Sequence, residues 1–309
     1  MKVVRCPVST LDFNDIIDMT PDTFFASPGF ANLWRTVGGE PVYWVVQADD
    51  DEIIAFLPGI EFGMKWFRRF QSMPDGCYGG LFLSPDKRKE RNIIAEQIMS
   101  TLANAGYIKV FLTDFYKCLD QHSSFQYDEY KTTLVKITRP AWEPPDKKLR
   151  QQIRKAAREG IEVQRFDPDR NFESFLKLME QTEKRHNRKQ KYPMRFFRGL
   201  AELAATDDRV HWVWCESNGQ PAASHIFIIE RDMLISWQTY FDKAFSWLKP
   251  NQYILYKTAV DLTKRGIKYL NLGASPPDAV DLQAYKGRWG GEIRTYPCYS
   301  CRKGLGKLF

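Results

Sequence analysis

The strongest constraint on the fold of this 309-residue chain is an order of elements that occurs twice. In the first half, Val42-Tyr-Trp-Val-Val-Gln-Ala48 reads as an apolar strand, Asp49 to Glu52 as a turn, and Ile53 to Leu57 as the antiparallel partner. Phe62 to Gly80 holds a loop or further strand, with a turn at Pro74-Asp-Gly76 and a Gly79-Gly80 pair where backbones can approach closely. Ile94, Ile98 and Leu102 mark one face of a helix over Glu90 to Ala105. Gly106 suits its C′ position, and Tyr107 to Leu112 is a buried strand. In the second half, Val210 to Glu216 and Ala222 to Glu230 flank the hairpin signal Ser217-Asn-Gly-Gln220. Met233 to Tyr240 is the next strand. Leu255, Ala259 and Leu262 mark a helix closed by Gly266, and Ile267 to Leu272 is the strand after it. The two hairpins start about 168 positions apart and the two helix–Gly–strand units about 160 apart, which suggests duplication of one α/β unit, the alternative being chance likeness of two ordinary α/β domains.

Helical segments precede each copy. Thr20-Pro21 and Ser27-Pro28 begin a helix carrying Phe30, Leu33 and Trp34. Phe172, Phe175, Leu176 and Met179 fit one amphipathic face, and Phe196, Phe197 and Leu200 start another helix. Three prolines in Arg139-Pro-Ala-Trp-Glu-Pro-Pro145 cannot sit in a helix or central strand and place the linker there. The expected domains are therefore residues 1–140 and 146–309.

Bulk properties narrow the setting. No apolar run approaches the roughly 18–20 residues of a membrane helix. Met1 to Phe13 is too polar for a signal peptide, so the cytoplasm is the expected location. A formal charge of +7 fits either a solubility charge or an anionic partner such as a nucleotide, a phosphate or a membrane surface. The six cysteines are scattered, as in a reduced compartment. Cys298-x-x-Cys301 has no second pair to complete a zinc site, and no metal is expected.

Several short motifs occur in a fixed order: Phe24-Phe-Ala-Ser-Pro28, Arg68-Arg-Phe-Gln-Ser-Met-Pro74 with Tyr78-Gly-Gly80, Leu149-Arg-Gln-Gln-Ile-Arg-Lys-Ala156, Asn271-Leu-Gly-Ala-Ser275, and Tyr285-Lys-Gly-Arg-Trp-Gly290. Together with the duplicated unit they resemble the FemAB-like acyltransferases of the GNAT superfamily. That group includes peptidoglycan-bridge aminoacyltransferases and exopolysaccharide-associated acetyltransferases. The last motif is similar to the family's Phe-Lys-x-x-Phe/Trp-Gly. The resemblance covers nearly the whole chain and implies an α/β fold with a mixed sheet, two tandem GNAT-like domains, and chemistry in the second. It also implies an N-acyltransferase moving an acetyl or aminoacyl group to an amine of a cell-envelope or polysaccharide precursor. The acceptor would be a small-molecule or lipid-linked amine, with peripheral contact to the inner membrane surface. Two features depart from the pattern. No segment has the length or heptads of the helical hairpin that bridge-forming members insert in the second domain. The Gly-rich pyrophosphate loop is replaced by Trp247-Leu-Lys-Pro-Asn-Gln-Tyr253. The donor stays open between acyl-CoA and aminoacyl-tRNA, with acetyl-CoA slightly preferred.

Acyl transfer to an amine needs a proton acceptor, an oxyanion donor and an anion site for the carrier. For the anion site, Asn251 can cap the helix after Pro250, with Lys249, Gln252, Tyr253 and Lys257 beside it. Lys286 stands in a Gly-flanked aromatic loop between Tyr285 and Arg288, and the resemblance places it at the cleft. An ordinary solvated lysine would look the same. His186 lies at the far end of the Phe172 stripe beside Arg185, as a base or as a helix-end surface residue. Alternation puts His225 on one face with Ala223 and Phe227, as a core histidine or a cleft residue. Trp237, Tyr240 and Asp242 mark a strand end, with Tyr240 and Asp242 sharing a face by period two. Catalysis is thus expected from Lys286, Tyr240, Asp242 or His186, and substrate contact from Arg185, His225, Trp237, Tyr285 and Arg288.

Two segments are basic: Lys147 to Arg158 with six Lys/Arg and Lys184 to Arg198 with seven. Leu149, Ile153 and Ala156 give the first an apolar stripe, which fits a solvated outer face. Tyr192, Phe196 and Phe197 interleave with the second, as a nucleic-acid surface would. The reading from another class is a non-catalytic module binding nucleic acid or an anionic surface.

Overall fold

The computed structural model describes residues 1–20, 22–74, 76–137, 141–276 and 278–303. Pro21, Asp75, and the Arg139-Pro140 part of the expected linker lie outside the described residues. The chain forms two compact units: Met1–Tyr130 with the segment from Thr295 onward, and Lys131–Arg294.

In the first unit β1 (Lys2–Pro7) pairs antiparallel with β2 (Gly39–Gln47). Between them α1 (Pro28–Leu33) starts where Ser27 accepts a hydrogen bond from the Phe30 N–H, with Pro at its first position. β2 forms a hairpin with β3 (Ile53–Phe62), and β4 (Arg69–Ser72) adds antiparallel to β3. The two-residue β5 (Phe82–Leu83) also pairs with β3. α2 (Arg91–Asn104) then carries the chain to β6 (Lys109–Thr113), which lies parallel to β4. A parallel pair requires such a crossover. Gly106, at φ 78°, takes the left-handed turn that ends the helix. Ile94, Ile98 and Leu102 of α2 pack against Val42, Trp44 and Leu112, while Tyr43, Val45 and Phe56 bury the other face.

Gly59 shows how tight that sheet is. A Cβ there would lie 2.2 Å from Phe70 Cζ and 2.8 Å from the Gln71 carbonyl oxygen, which is backbone and cannot yield. Gly59→Ala should lower the unfolding free energy by about 2 kcal/mol, measured by urea titration.

β7 (Gln126–Lys136) leads into the second unit. α3 (Lys147–Arg158) begins at Asp146, whose carboxylate accepts the Leu149 N–H at 2.6 Å. β8 (Ile161–Arg165), α4 (Pro168–Arg185), α5 (Met194–Thr206) and β9 (Val210–Ser217) follow, with β8 antiparallel to β9. The β9–β10 hairpin, with β10 at Gln220–Glu230, turns on Asn218 and Gly219, both left-handed. That is the chemistry the Asn-Gly pair supplies. β11 (Met233–Phe241) is antiparallel to β10. α6 (Pro250–Leu262) and left-handed Gly266 cross over to β12 (Tyr269–Asn271), parallel to β11. Leu134–Lys136 of β7 pair antiparallel with β12. α3 and α6 cover one face, through Leu149, Ile153, Leu255 and Ala259. α4 and α5 cover the other with rings of Phe172, Phe175 and Phe197 around Trp212. α7 (Val280–Gly287) precedes β13 (Glu292–Arg302), and Cys298–Arg302 pair antiparallel with β6.

The duplication is explicit in the pairing. The first unit reads β1-β2-β3-β4-β6-β13 and the second β8-β9-β10-β11-β12-β7. The sense of pairing agrees at each step, with one parallel pair in the same place. The last strand of the first unit comes from the far end of the chain, and that of the second comes from the segment before α3. Residues expected to belong to a 146–309 domain therefore include a strand that completes the first unit, because pairing rather than chain order decides membership.

Candidate active site

A cavity of about 340 Å³ opens in the second unit, between the start of α6, the end of β11, the loop after β12, and α7. Phe241, Leu255, Leu272, Leu282 and Tyr285 form its apolar walls. Its polar groups are Ser236, Thr239, Ser246, Lys249, Asn251, Gln252 and Lys286.

Lys286 is held by design of the backbone. The stretch Ala284 to Gly287 is the end of α7, not a loop as its glycines suggest, so Lys286 is aimed by a helix. It is only 4% exposed. Its Nζ donates to the carbonyls of Gly273 at 2.8 Å and Ala274 at 2.7 Å. Burial lowers its pKa from 10.5 to about 8. An ammonium has three protons, and two are engaged by these carbonyls. The carbonyls are positioned in turn by Asn271, which is fully buried. Its Oδ1 accepts from the Gly273 N–H at 2.8 Å and from Thr132 Oγ1 at 2.6 Å. Gly273 sits at φ 75°, a backbone state that glycine adopts at no steric cost.

The anion-site candidates are arranged differently from expectation. Lys249, not Asn251, occupies the N-cap of α6, with left-handed backbone at φ 56° and no side-chain cap. Asn251 lies inside the first turn. Its Oδ1 is buried and has no hydrogen-bond partner among the described residues. The Gln252 and Tyr253 N–H groups both point to the Lys249 carbonyl. An anion here would meet the side chains of Lys249, Asn251 and Gln252 and the positive end of the helix, rather than a cradle of free N–H groups. Tyr253 packs against the core, and Lys257 pairs with Asp261 at 3.0 Å one turn along.

β11 contributes through a bulge. Pairing with β10 slips between Ile226 and Phe227, opposite Ser236 and Gln238. The extra residue brings Ser236 and Thr239 to the same side, although strict alternation would separate them. Both meet His225 Nε2, at 2.9 Å and 3.0 Å. His225 is 1% exposed and stacks on Phe227. Burial pushes its pKa down to about 3, so it is a neutral orienting group behind two cavity hydroxyls.

The same bulge turns the other β11 candidates away. Trp237 packs on Tyr192 and Phe196. Tyr240 packs edge-on to Phe175 and Phe197 in the core on the α4/α5 side, with its hydroxyl bonded to Gln238. Burial raises its pKa. Asp242 has left the strand and caps the following 3-10 turn through the Ala244 N–H. His186 is the exposed C-cap of α4, where partial desolvation of the ring and the Arg188 and Arg185 cations hold its pKa below the usual range. Arg185 lies over the Phe241 ring at 4.1 Å and donates to the Phe241 carbonyl and Thr182 hydroxyl, bracing a cavity wall from behind. Arg288 is engaged elsewhere: it binds Asp146 at 3.0 Å and Gln152 at 3.3 Å, tying α7 to α3. The cavity thus gathers Lys249, Asn251, Gln252, Tyr285 and Lys286 from the expected set. It adds Ser236, Thr239 and Ser246, which no sequence period marks.

The apolar residues of the two basic segments belong to the core. Leu149, Ile153 and Ala156 of α3 are buried, and Arg154 pairs with Glu143. Tyr192, Phe196 and Phe197 are at most 4% exposed, so they offer no stacking faces to nucleic-acid bases.

A family model described as an acetyltransferase (GNAT) domain matches residues 146–287, ending just past Lys286. A second, the FemAB family, matches residues 85–203. No curated protein matches the sequence. Among solved structures, FemX superposes with a TM-score of 0.74 at 11% identity, covering 100% of both chains. L-PGS from Bacillus licheniformis gives 0.56 at 11% identity, over 89% of this chain and 88% of that one. A tandem GNAT protein from the clavulanic acid biosynthesis pathway gives 0.51 at 10% identity, over 98% and 99%. At these identities the likeness speaks to the fold. The second unit thus carries a match to the GNAT acetyltransferase domain, the FemAB match overlaps its start, and the fold of two tandem GNAT-like units is shared with FemX along the full chain.

Proposed function

We propose that this chain is an N-acyltransferase whose second unit moves an acyl group from a carrier to an amine of a cell-envelope or polysaccharide precursor. The observation that carries this reading is Lys286: a buried ammonium held by two carbonyls, facing a cavity that also meets the start of α6. The family matches supply the reaction class, and the FemX-like fold agrees with an envelope acceptor.

In this reading the carrier's phosphates lie near Lys249 and the start of α6. The acyl carbonyl is placed by Ser236 and Thr239, whose hydroxyls are oriented by neutral His225. The acceptor nitrogen attacks the acyl carbon and the carrier's bond to that carbon breaks. The amine proton ends on the leaving sulfur or oxygen. Lys286 uses its third proton to stabilise the oxyanion that forms on the way. The attack is direct, and no cysteine is among the described residues that line the cavity.

The donor separates two versions, and acetyl-CoA is the one favoured. Acetyl-CoA at about 100 times its dissociation constant should add about 2.7 kcal/mol to stability, read as a rise in melting temperature. If CoA thioesters leave the melting point unchanged and tRNA raises it with a steep salt dependence, the donor is aminoacyl-tRNA. Silence towards both removes the acyl-carrier reading.

A further inference from the structure

The turn that joins β3 to β4 in the first unit carries a concentration of exposed apolar surface that the fold does not use. Met64 is 81% exposed, Trp66 83% and Phe67 55%. The turn is built rather than loose. Its base is the paired residues Phe62 and Arg69, and the Phe67 N–H donates to the Met64 carbonyl at 3.0 Å. Gly63 takes φ 87°, and any Cβ there would meet the Phe67 carbonyl at 2.4 Å. The backbone is thus set so that three large side chains face outward together.

The strand that leaves the turn opens a row of cations. Arg69 pairs with Lys109 in β6, and Lys109 pairs with Arg302 in β13. Directly paired residues project to the same face, so three cations form a row across adjacent strands at the foot of the turn. Arg69 and Arg302 are exposed. By contrast Arg68 is engaged, 3.8 Å from Glu61 and over the Tyr107 ring. A Trp-led apolar tip next to a basic row is the arrangement that suits the headgroup zone of an anionic bilayer. No described helix is long and apolar enough to cross a membrane, so the contact would be peripheral.

We propose that Met64, Trp66 and Phe67 seat the first unit in the interfacial layer of a bilayer carrying anionic phospholipid, with Arg69, Lys109 and Arg302 against the phosphates. This inference does not rest on acyl transfer, since it needs neither donor nor catalytic residue.

The test is co-sedimentation of the full chain with phosphatidylcholine vesicles, with and without 30 mol% phosphatidylglycerol (about that fraction gives a strongly negative surface). The protein should pellet with the anionic vesicles and stay in solution with the neutral ones. Arg69→Glu with Arg302→Glu should weaken binding by well over the roughly fivefold expected for each cation simply removed. Met64→Ser, Trp66→Ser and Phe67→Ser together should weaken it by at least about tenfold. All five positions are exposed, and circular dichroism with an unchanged melting point checks that the variants fold. A wild-type protein that stays in the supernatant of anionic vesicles overturns the proposal. So does binding that survives the turn variant, or self-association through the turn without any vesicle binding.

Discussion

Lys286→Met should reduce acyl transfer by about 10²- to 10³-fold while the protein still folds. The rate loss is what removal of one preorganised oxyanion donor costs. Methionine matches the length of the lysine stem and packs beside Leu272 and Tyr285 without a buried charge. The same substitution gives an independent reading on stability. The folded-state pKa of about 8 lies below the 10.5 of an exposed lysine, so folding disfavours the ammonium by about 3 kcal/mol. Between pH 8 and 10.5 the unfolded chain holds a proton that the folded chain has released, and stability from this group rises with pH across that window. The variant should lose that slope. Activity should move the opposite way: with an ammonium as the working form, the wild-type rate falls as pH rises through about 8. A rate that climbs through pH 8 would instead make neutral Lys286 a base, and an unimpaired variant would remove the residue from the mechanism.

Asn271→Ala should be the most damaging change that touches nothing in the cavity directly. One oxygen of Asn271 serves the part-buried Gly273 N–H and the buried Thr132 hydroxyl. Stripping the acceptor from the buried donor costs about 1–3 kcal/mol and from the part-buried one less, so about 2 kcal/mol of stability should be lost. The Gly273 and Ala274 carbonyls then lose the anchor that presents them to Lys286. Transfer should fall by at least about tenfold even at temperatures where the variant is fully folded. Urea unfolding and steady-state rates on the same preparation separate the two effects. Loss of stability with an intact rate would show that the loop holds its shape without Asn271.

Much of the architecture was legible because it rests on local rules. The Asn-Gly turn, the 3.6-residue spacing of Ile94, Ile98 and Leu102, and glycines 106 and 266 after their helices each act within a few residues of sequence. The strands that escaped notice lacked such signals. β7 runs Gln-Tyr-Asp-Glu-Tyr-Lys before its buried end, and its first residues are mostly exposed. β13 alternates weakly until Tyr296. Neither could reveal its partner, which for β7 is β12 and for β13 is β6, both far away in sequence.

The site divides the same way. Lys286, Tyr285, Lys249, Asn251 and Gln252 could be named from motif and position, since a helix start and a family-like loop are read along the chain. Tyr240 and Asp242 could not be placed by period two. A bulge adds one residue to β11, which buries Tyr240 against Phe175 and brings Ser236 and Thr239 together. Bulges arise from the pairing of two strands, and that information is in neither strand alone. The sequence by itself determined that this is a duplicated α/β chain, and it singled out the second copy's helix start and Tyr-Lys-Gly segment, which line one cavity. Only the tertiary structure decided which strand closes each unit and that Lys286 is a buried ammonium between two carbonyls. Those outcomes depend on long-range pairing and desolvation, which have no local sequence signature.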